Sequence, residues 1–406
     1  MILIKAGNFW DGRSDQPSGY REILVENGII SAVDCEVDCS KSIQIIDLTG
    51  YTVMPGFIDC HQHLTLRPSM FGQFWRYAPA YKTICGVDAL RHNLMNGFTT
   101  VRDCGDMDLH GYTVRELSQA VKTGMITGPE IVVSGHMISS RGGHMDVTSS
   151  LPADSIPFEN CLADGPDEIR RVVREEINRG CDWVKYAGSG GFTSPSDDPS
   201  QVTFTQEEMD TIIVTAKDFL RPVAVHAIGP DAIRRSLKAG VRSIEHGSLI
   251  TRELLSTMER DKVFLVPTQV AAIRSMKIAK DPNSSTRVPR HIIEKFSKYQ
   301  DDLIEGTHAI AESKVNIAFG TDMGIISYAM NPAEEFYEMV KNGIQTLMAL
   351  KSATSVAAEL LKREDLGVLA PSRSADIIAM AGNPFTDIRA TENITFVMKK
   401  GVIYKK

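Results

Sequence analysis

Long apolar runs are missing from this chain of 406 residues. None approaches the roughly 20 residues that span a bilayer, so no membrane helix is expected. The opening Met1-Ile2-Leu3-Ile4-Lys5-Ala6-Gly7 lacks a charged region, a long apolar segment and a small-residue cleavage site, and does not read as a signal peptide. Basic charge is also short: 44 Lys and Arg face 51 Asp and Glu, a net charge of −7. Phosphate binding needs a basic face, so the charge argues against nucleic acid as a partner. The seven cysteines (Cys35, Cys39, Cys60, Cys85, Cys104, Cys161, Cys181) are odd in number, scattered, and never spaced as CxxC. They suit reduced thiols in a cytoplasmic protein and argue against a disulfide framework or a cysteine zinc site. No low-complexity tract or short repeat occurs. A hydrophobic fraction of 43% with 23% charged residues is that of an ordinary soluble globular protein. The length suits one large domain with a smaller module.

Both ends of the chain read as short strands. Met1–Lys5, Glu22–Glu26, Ile29–Val33 and Ile43–Asp47 come first, with the hairpin signal Asn27-Gly28 between the second and third. Ala375–Ala379, Phe396–Met398 and Val402–Tyr404 come last, with turns at Asn383-Pro384 and Lys399-Lys400-Gly401. Neither end is large enough to bury its own core, so residues 1–54 and 360–406 are expected to form one small β-sandwich together. Between them, residues 55–359 alternate apolar β-branched runs with helical periodicity. The runs are Val53–Asp59, Thr99–Asp103, Glu130–Ser134, Asp182–Tyr186, Val223–His226, Ser243–His246, Val263–Pro267 and Ile317–Asp322. Runs apolar on both faces mark buried parallel strands. Asp167–Arg179 puts Ile169, Val172, Val173 and Ile177 on one helical face, and Gly124, Gly180 and Gly240 follow helices where a left-handed cap is needed. Eight such strands predict an α/β fold, a (β/α)₈ TIM-type barrel.

Polar residues gather at one end of these strands. His61 and His63 close the first run two residues apart, a spacing that lets both side chains grip one ion. His226 and His246 end the fifth and sixth, Lys185 lies inside the fourth, and Asp322 ends the eighth. Any one of these could be a satisfied core polar group. Six at the carboxyl ends of strands are hard to explain as packing, because barrel active sites lie at that end. An ammonium inside a buried strand is costly, so the pKa of Lys185 should be depressed. A neutral amine can condense with carbon dioxide to a carbamate, whose two oxygens can bridge two divalent ions. A salt bridge from Lys185 to Asp322 or Glu245 is the structural alternative.

The runs Val53-Met54-Pro55-Gly56-Phe57-Ile58-Asp59-Cys60-His61-Gln62-His63, Gly97-Phe98-Thr99-Thr100-Val101-Arg102-Asp103, Ser189-Gly190-Gly191, Ile244-Glu245-His246-Gly247 and Phe319-Gly320-Thr321-Asp322 resemble the amidohydrolase superfamily. The resemblance is to its imidazolonepropionase-like branch, with zinc carboxypeptidases and prolidases. Ala375-Asp376-Ile377 and Gly382-Asn383-Pro384 extend it to the C-terminal segment. It implies two divalent ions, most often zinc for an imidazole-rich site. His61, His63 and Asp322 would hold the buried ion, His226 and His246 the exposed one, and carbamylated Lys185 would bridge. It further implies amide hydrolysis by a metal-bridging hydroxide, with Asp322 taking a proton and delivering it to the leaving nitrogen. His144, in Arg141-Gly142-Gly143-His144, would contact the carbonyl oxygen.

The substrate is less legible. Family prolidases often carry a carboxylate-binding tyrosine where this chain has Ile228. Arg141 could replace it, or the substrate lacks an α-carboxylate. Gln269, Ile325 and Tyr328, on the loops after strands 7 and 8, suit an apolar or aromatic leaving amino acid released from a dipeptide or N-acyl amino acid. Competing readings are a mycotoxin-like or synthetic aryl amide as substrate, a deaminase or cyclic amide hydrolase on the same fold, and an inactive barrel with a binding role. A homo-oligomer is expected.

Overall fold

The computed structural model describes residues 1–34, 43–70, 73–148, 151, 161–280 and 289–406. The N-terminal strands are β1 (Ile2–Phe9), β2 (Arg21–Glu26), β3 (Ile29–Val33) and β4 (Gln44–Pro55). The barrel strands follow: β5 (Phe57–Gln62), β6 (Phe98–Asp103), β7 (Glu130–Val133), β8 (Met137–Ile138), β9 (Val184–Ala187), β10 (Val223–Ala227), β11 (Ser243–His246), β12 (Phe264–Val266) and β13 (Asn316–Ile317). The chain ends in β14 (Ile377–Met380), β15 (Ile394–Lys399) and β16 (Val402–Lys405).

The two terminal segments build one composite, hydrogen-bonded sheet, in the order β16-β15-β14-β4-β1-β2-β3. It curls until its far parts meet, with the Ile30 N–H donating to Arg373 O at 2.9 Å and the Ala375 N–H to Gly28 O at 2.9 Å. Inside lies a core from both chain ends, including Ile4, Ile23, Ile46, Val53, Ile377, Phe396 and Met398. The β2–β3 turn uses positive φ at both Asn27 (50°) and Gly28 (81°), as Asn-Gly turns do.

The barrel strands pair in parallel in two arcs, β5-β6-β7 and β13-β12-β11-β10-β9-β8. Backbone bonds close both gaps. Asp182 N–H reaches Val133 O at 2.7 Å, Cys60 N–H reaches Phe319 O at 2.8 Å, and Asp322 N–H reaches His61 O at 2.8 Å. Every residue of β5, β6, β9 and β10 is buried, as expected of strands covered on both faces. Gly124, Gly180 and Gly240 all take positive φ (72°, 94° and 98°) after helices, as the sequence predicts.

Two strand expectations are corrected. Val53–Pro55 belongs to the terminal sheet, where Pro55 pairs with Ile377. The first barrel strand begins at Phe57, because Gly56 N–H turns to Asp376 O at 2.9 Å. A Cβ on Gly56 would lie 2.3 Å from Thr99 Oγ1, so only glycine admits this approach. The last barrel strand has ladder pairing only at Asn316–Ile317, and Phe319 N–H bonds Ser352 O at 2.9 Å instead. The cysteines Cys60, Cys85, Cys104, Cys161 and Cys181 are unpaired and buried, while Cys35 and Cys39 lie outside the described residues. Among the described residues no helix is long and apolar enough to cross a membrane.

Candidate metal centre and active site

The carboxyl ends of β5, β9, β10 and β11 and the segment after β13 converge on one point. The His61 ring centroid lies 5.5 Å from that of His63 and 4.8 Å from that of His246, which is 4.7 Å from His226. Asp322 Oδ1 is 3.6 Å from His61 Nε2 and 3.4 Å from His63 Nε2. The backbone is strained at this rim: His246, Thr268 and Asp322 have φ of 70°, 46° and 58°. Such positions cost of order 1–3 kcal/mol each and persist where surrounding structure holds them.

Buried polar groups behind the rings supply that hold. Glu245 Oε2 accepts from His61 Nδ1 at 2.8 Å, and Arg102 Nη2 donates to Glu245 Oε1 at 2.8 Å, all three groups being fully buried. Carboxylate contact at Nδ1 leaves His61 Nε2 facing the centre. Asp59 ties the two ligand-bearing strands together, accepting from His61 N–H at 3.0 Å and from Thr321 Oγ1 at 2.6 Å. His63 Nδ1 meets Gly105 O at 3.1 Å, and His246 Nδ1 meets Thr268 Oγ1 at 2.8 Å.

These side chains suit divalent ions. His61, His246 and Asp322 offer ligand atoms within 4.8 Å of one another. His61 Nε2, Asp322 Oδ1 and Lys185 Nζ are buried without a hydrogen-bond partner, a cost that cations and a carbamate on Lys185 would relieve. Burial pushes His61, His226 and His246 well below the ordinary imidazole range, so each ring stays neutral and keeps a lone pair to donate. Burial opposes protonation of His63 too, but the nearby Asp322 carboxylate, 3.4 Å from Nε2, outweighs it and raises the ring's pKa. Burial lowers Lys185 as well, favouring the neutral amine that carbamate formation needs. The alternative salt bridge to Asp322 or Glu245 does not form, since Lys185 Nζ has no partner and Glu245 is engaged by His61, Arg102 and Ser243. A second close group, His61 with Cys104 and Glu245, is a poorer ligand set for the same reason, and burial pushes the Cys104 thiol up to about 12.

A cavity of about 160 Å³ opens over this centre, and His144 lines it. The His144 ring stacks on His226 at 4.3 Å and 12°. A Cβ on Gly191 would come within 2.1 Å of the His144 ring, so the Ser189-Gly190-Gly191 turn is glycine-rich to let that ring in. Its apolar lining falls into two packed clusters, one with Leu66, Phe74, Trp75, Met107, Met137 and Met145 and one with Phe192, Ile228 and Phe296. Of the expected substrate residues, Ile228 and Ile325 line the cavity; three others do not. Arg141 pairs outside it with Asp164 at 2.7 Å and Glu168 at 3.1 Å. Gln269 accepts from Asn342 Nδ2 at 3.0 Å and borders a separate cavity of about 200 Å³. Tyr328 is tucked beneath His63, its hydroxyl 3.2 Å from Gln62 Oε1 and its ring under the Arg67 guanidinium at 4.4 Å. Phe74, Trp75, Phe192 and Phe296 carried no sequence signal, since scattered aromatics in loops and helices look the same whether or not they share a wall. The loop after β8 also brings Asp146 to this wall, a carboxylate held by Gly142 N–H at 2.7 Å and Thr148 N–H at 2.9 Å.

A barrel with buried histidines, a lysine and an aspartate at its strand ends defines a metal-dependent hydrolase class, and the comparisons agree. The amidohydrolase family model matches residues 52–405, and the chain belongs to that family. It is 28% identical to the ochratoxinase of Aspergillus niger over 436 aligned positions, covering all of this chain and 87% of that protein. The crystal structure of that ochratoxinase superposes with a TM-score of 0.85, at 26% identity over all of this chain and 95% of its own. A Xaa-Pro dipeptidase with methionine bound in its active site superposes with a TM-score of 0.91 at 33% identity, covering both chains fully.

Proposed function

We propose that this amidohydrolase uses two divalent ions to release an apolar or aromatic amino acid from a dipeptide or N-acyl amino acid. The observation that carries the reading is the meeting of six ligand-type side chains beneath an aromatic and methionine-walled cavity. His61, His63 and Asp322 would hold one ion, His226 and His246 the other, with Lys185 as a carbamate between them. When bound, the ions, most suitably zinc, lower the pKa of water toward neutrality and polarise the scissile carbonyl. Asp322 would take the proton of the attacking water and pass it to the nitrogen as the C–N bond breaks, because an amide nitrogen leaves poorly unprotonated. His144, with Nδ1 turned away to Ser194 and Asp197, would present Nε2 to the substrate carbonyl. The apolar walls would shed water around the leaving side chain. The odd number and scattered spacing of the cysteines suit a cytoplasmic location.

Hydrolysis of a bulky aryl amide of an amino acid is the second reading. It is favoured by Ile228 in the apolar wall and by the full-length similarity to an ochratoxinase. One panel tests both: Xaa-Pro dipeptides, N-acyl-phenylalanines and aryl amides of phenylalanine, read by released amine, with metal analysis of the same preparation. We expect two ions per chain and higher kcat/KM for the phenylalanine compounds. A preference of tenfold or more for Xaa-Pro dipeptides would overturn the apolar specificity, and one ion or none the binuclear centre.

A further inference from the structure

We infer that Asp197 is the positioning residue of His144, holding the proton on Nδ1 so that Nε2 is the nitrogen presented to the substrate. The inference rests on the role of His144 proposed above. Asp197 lies on the loop after β9, its side chain fully buried, and its Oδ2 is 3.1 Å from His144 Nδ1. Ser194 Oγ also stands 3.0 Å from Nδ1, but its own hydrogen is spent on Asp197 Oδ1. Both neighbours of Nδ1 therefore act as acceptors, so Nδ1 must carry the hydrogen. The other ring nitrogen is left for the cavity that His144 lines.

Asp197 is itself fixed. Its Oδ1 takes the Gly191 N–H at 3.1 Å and Lys295 Nζ at 3.1 Å. Lys295 also donates to Gly191 O at 2.7 Å and Ser194 O at 2.6 Å, so it braces the loop from a separate helix, Arg290–Lys298. Burial works against the carboxylate charge, yet the contacts with His144, Ser194 and Gly191 hold its pKa below the usual range. A carboxylate in this place therefore orients the ring and selects its tautomer. The structural alternative is that Asp197 serves only to bolt the loop to Lys295.

A double-mutant cycle separates the two, run on the fastest substrate of the panel with metal-loaded protein. Asp197→Asn is expected to lower kcat about tenfold or more, with KM and metal content near wild type. In a His144→Ala background the same change should cost less than about threefold, since a positioning residue has nothing left to position. Equal losses in both backgrounds would overturn the inference and leave Asp197 a loop brace. A His144→Ala enzyme as fast as wild type would instead remove the role of His144 itself, a distinguishable failure. If Asp197→Asn does not fold, ¹⁵N NMR of histidine-labelled wild-type protein, assigned with His144→Ala, gives the answer directly. The expected spectrum has Nδ1 of His144 protonated; a bare Nδ1 with a protonated Nε2 overturns the assignment.

Discussion

At the residue scale, Lys185 differs most from what its neighbours in the sequence suggest. Trp183 and Val184 before it and Tyr186 after it are core residues, and a lysine among them is fully buried with Nζ unpartnered. An ordinary buried ammonium would be paired or would cost several kcal/mol. This one faces neutral histidines and Asp322, which suits an amine consumed as a carbamate rather than one kept as a cation. Lys185→Ala is therefore expected to lose at least one of the two ions and to lower kcat by about 10²-fold or more, the scale of a lost catalytic group. Short-chain carboxylates such as acetate or propionate should restore part of the rate by occupying the vacated place. Full activity of Lys185→Ala with both ions retained would remove the bridging role.

At the element scale, the strand ends position the candidate ligands and the loops beyond them line the cavity. Ile228, just past β10, is buried and packs with Phe192 and Phe296 while its N–H bonds Ser189 Oγ at 3.0 Å. Ile228→Tyr offers a hydroxyl that could meet a substrate carboxylate, a bond worth roughly 1.5–3 kcal/mol, or about one to two decades in kcat/KM. The larger ring also intrudes on the apolar wall, where overpacking costs about 1–3 kcal/mol. The ratio of kcat/KM for a small Xaa-Pro dipeptide over an N-acyl-phenylalanine should rise tenfold or more, with some loss of Tm. An unchanged ratio would mean that position 228 does not face the substrate carboxylate. The same elements show what a sequence can disclose. His226 and His246 were legible because a polar group ending a β-branched run is exceptional, and period-two geometry then fixes its direction. Gln269, Tyr328 and Arg141 were not, because loop side chains turn toward partners far along the chain. Asn342 is 73 residues from Gln269, Gln62 is 266 from Tyr328, and Asp164 is 23 from Arg141. Nothing local encodes those distances. Asp197 was hidden for a similar reason: it stands in a Ser-Pro-Ser-Asp-Asp-Pro turn that any surface loop could carry, and only the adjacent glycines hinted at a close approach.

At the scale of the whole molecule, the composite terminal sheet was foreseeable because neither end could bury its own strands, but the pairings that curl it were not. Curling depends on pairings between residues more than three hundred positions apart, such as Val53 with Ala379. The last segment does more than complete that sheet. β14 lies between β15 and β4. Lys400 reaches Glu130 at 2.7 Å, Lys399 donates to Gly128 O, and Lys405 donates to Met95 O at 3.0 Å, tying the sheet to the foot of the barrel near β6 and β7. Removing residues 375–406 would strip Ile377, Ala379, Phe396 and Met398 from a core in which each is no more than 1% exposed. Truncating one large core side chain typically costs about 2–5 kcal/mol, so losing Ile377, Phe396 and Met398 with an interior strand is comparable to the approximately 5–15 kcal/mol that holds a typical protein folded. The expected outcome is loss of soluble protein on deletion of 375–406, or a product without a cooperative thermal transition and without bound metal. A soluble truncated chain that keeps two ions and unfolds cooperatively would show that the barrel stands alone, and that the terminal sheet is an appendage rather than part of the fold that shapes the metal centre.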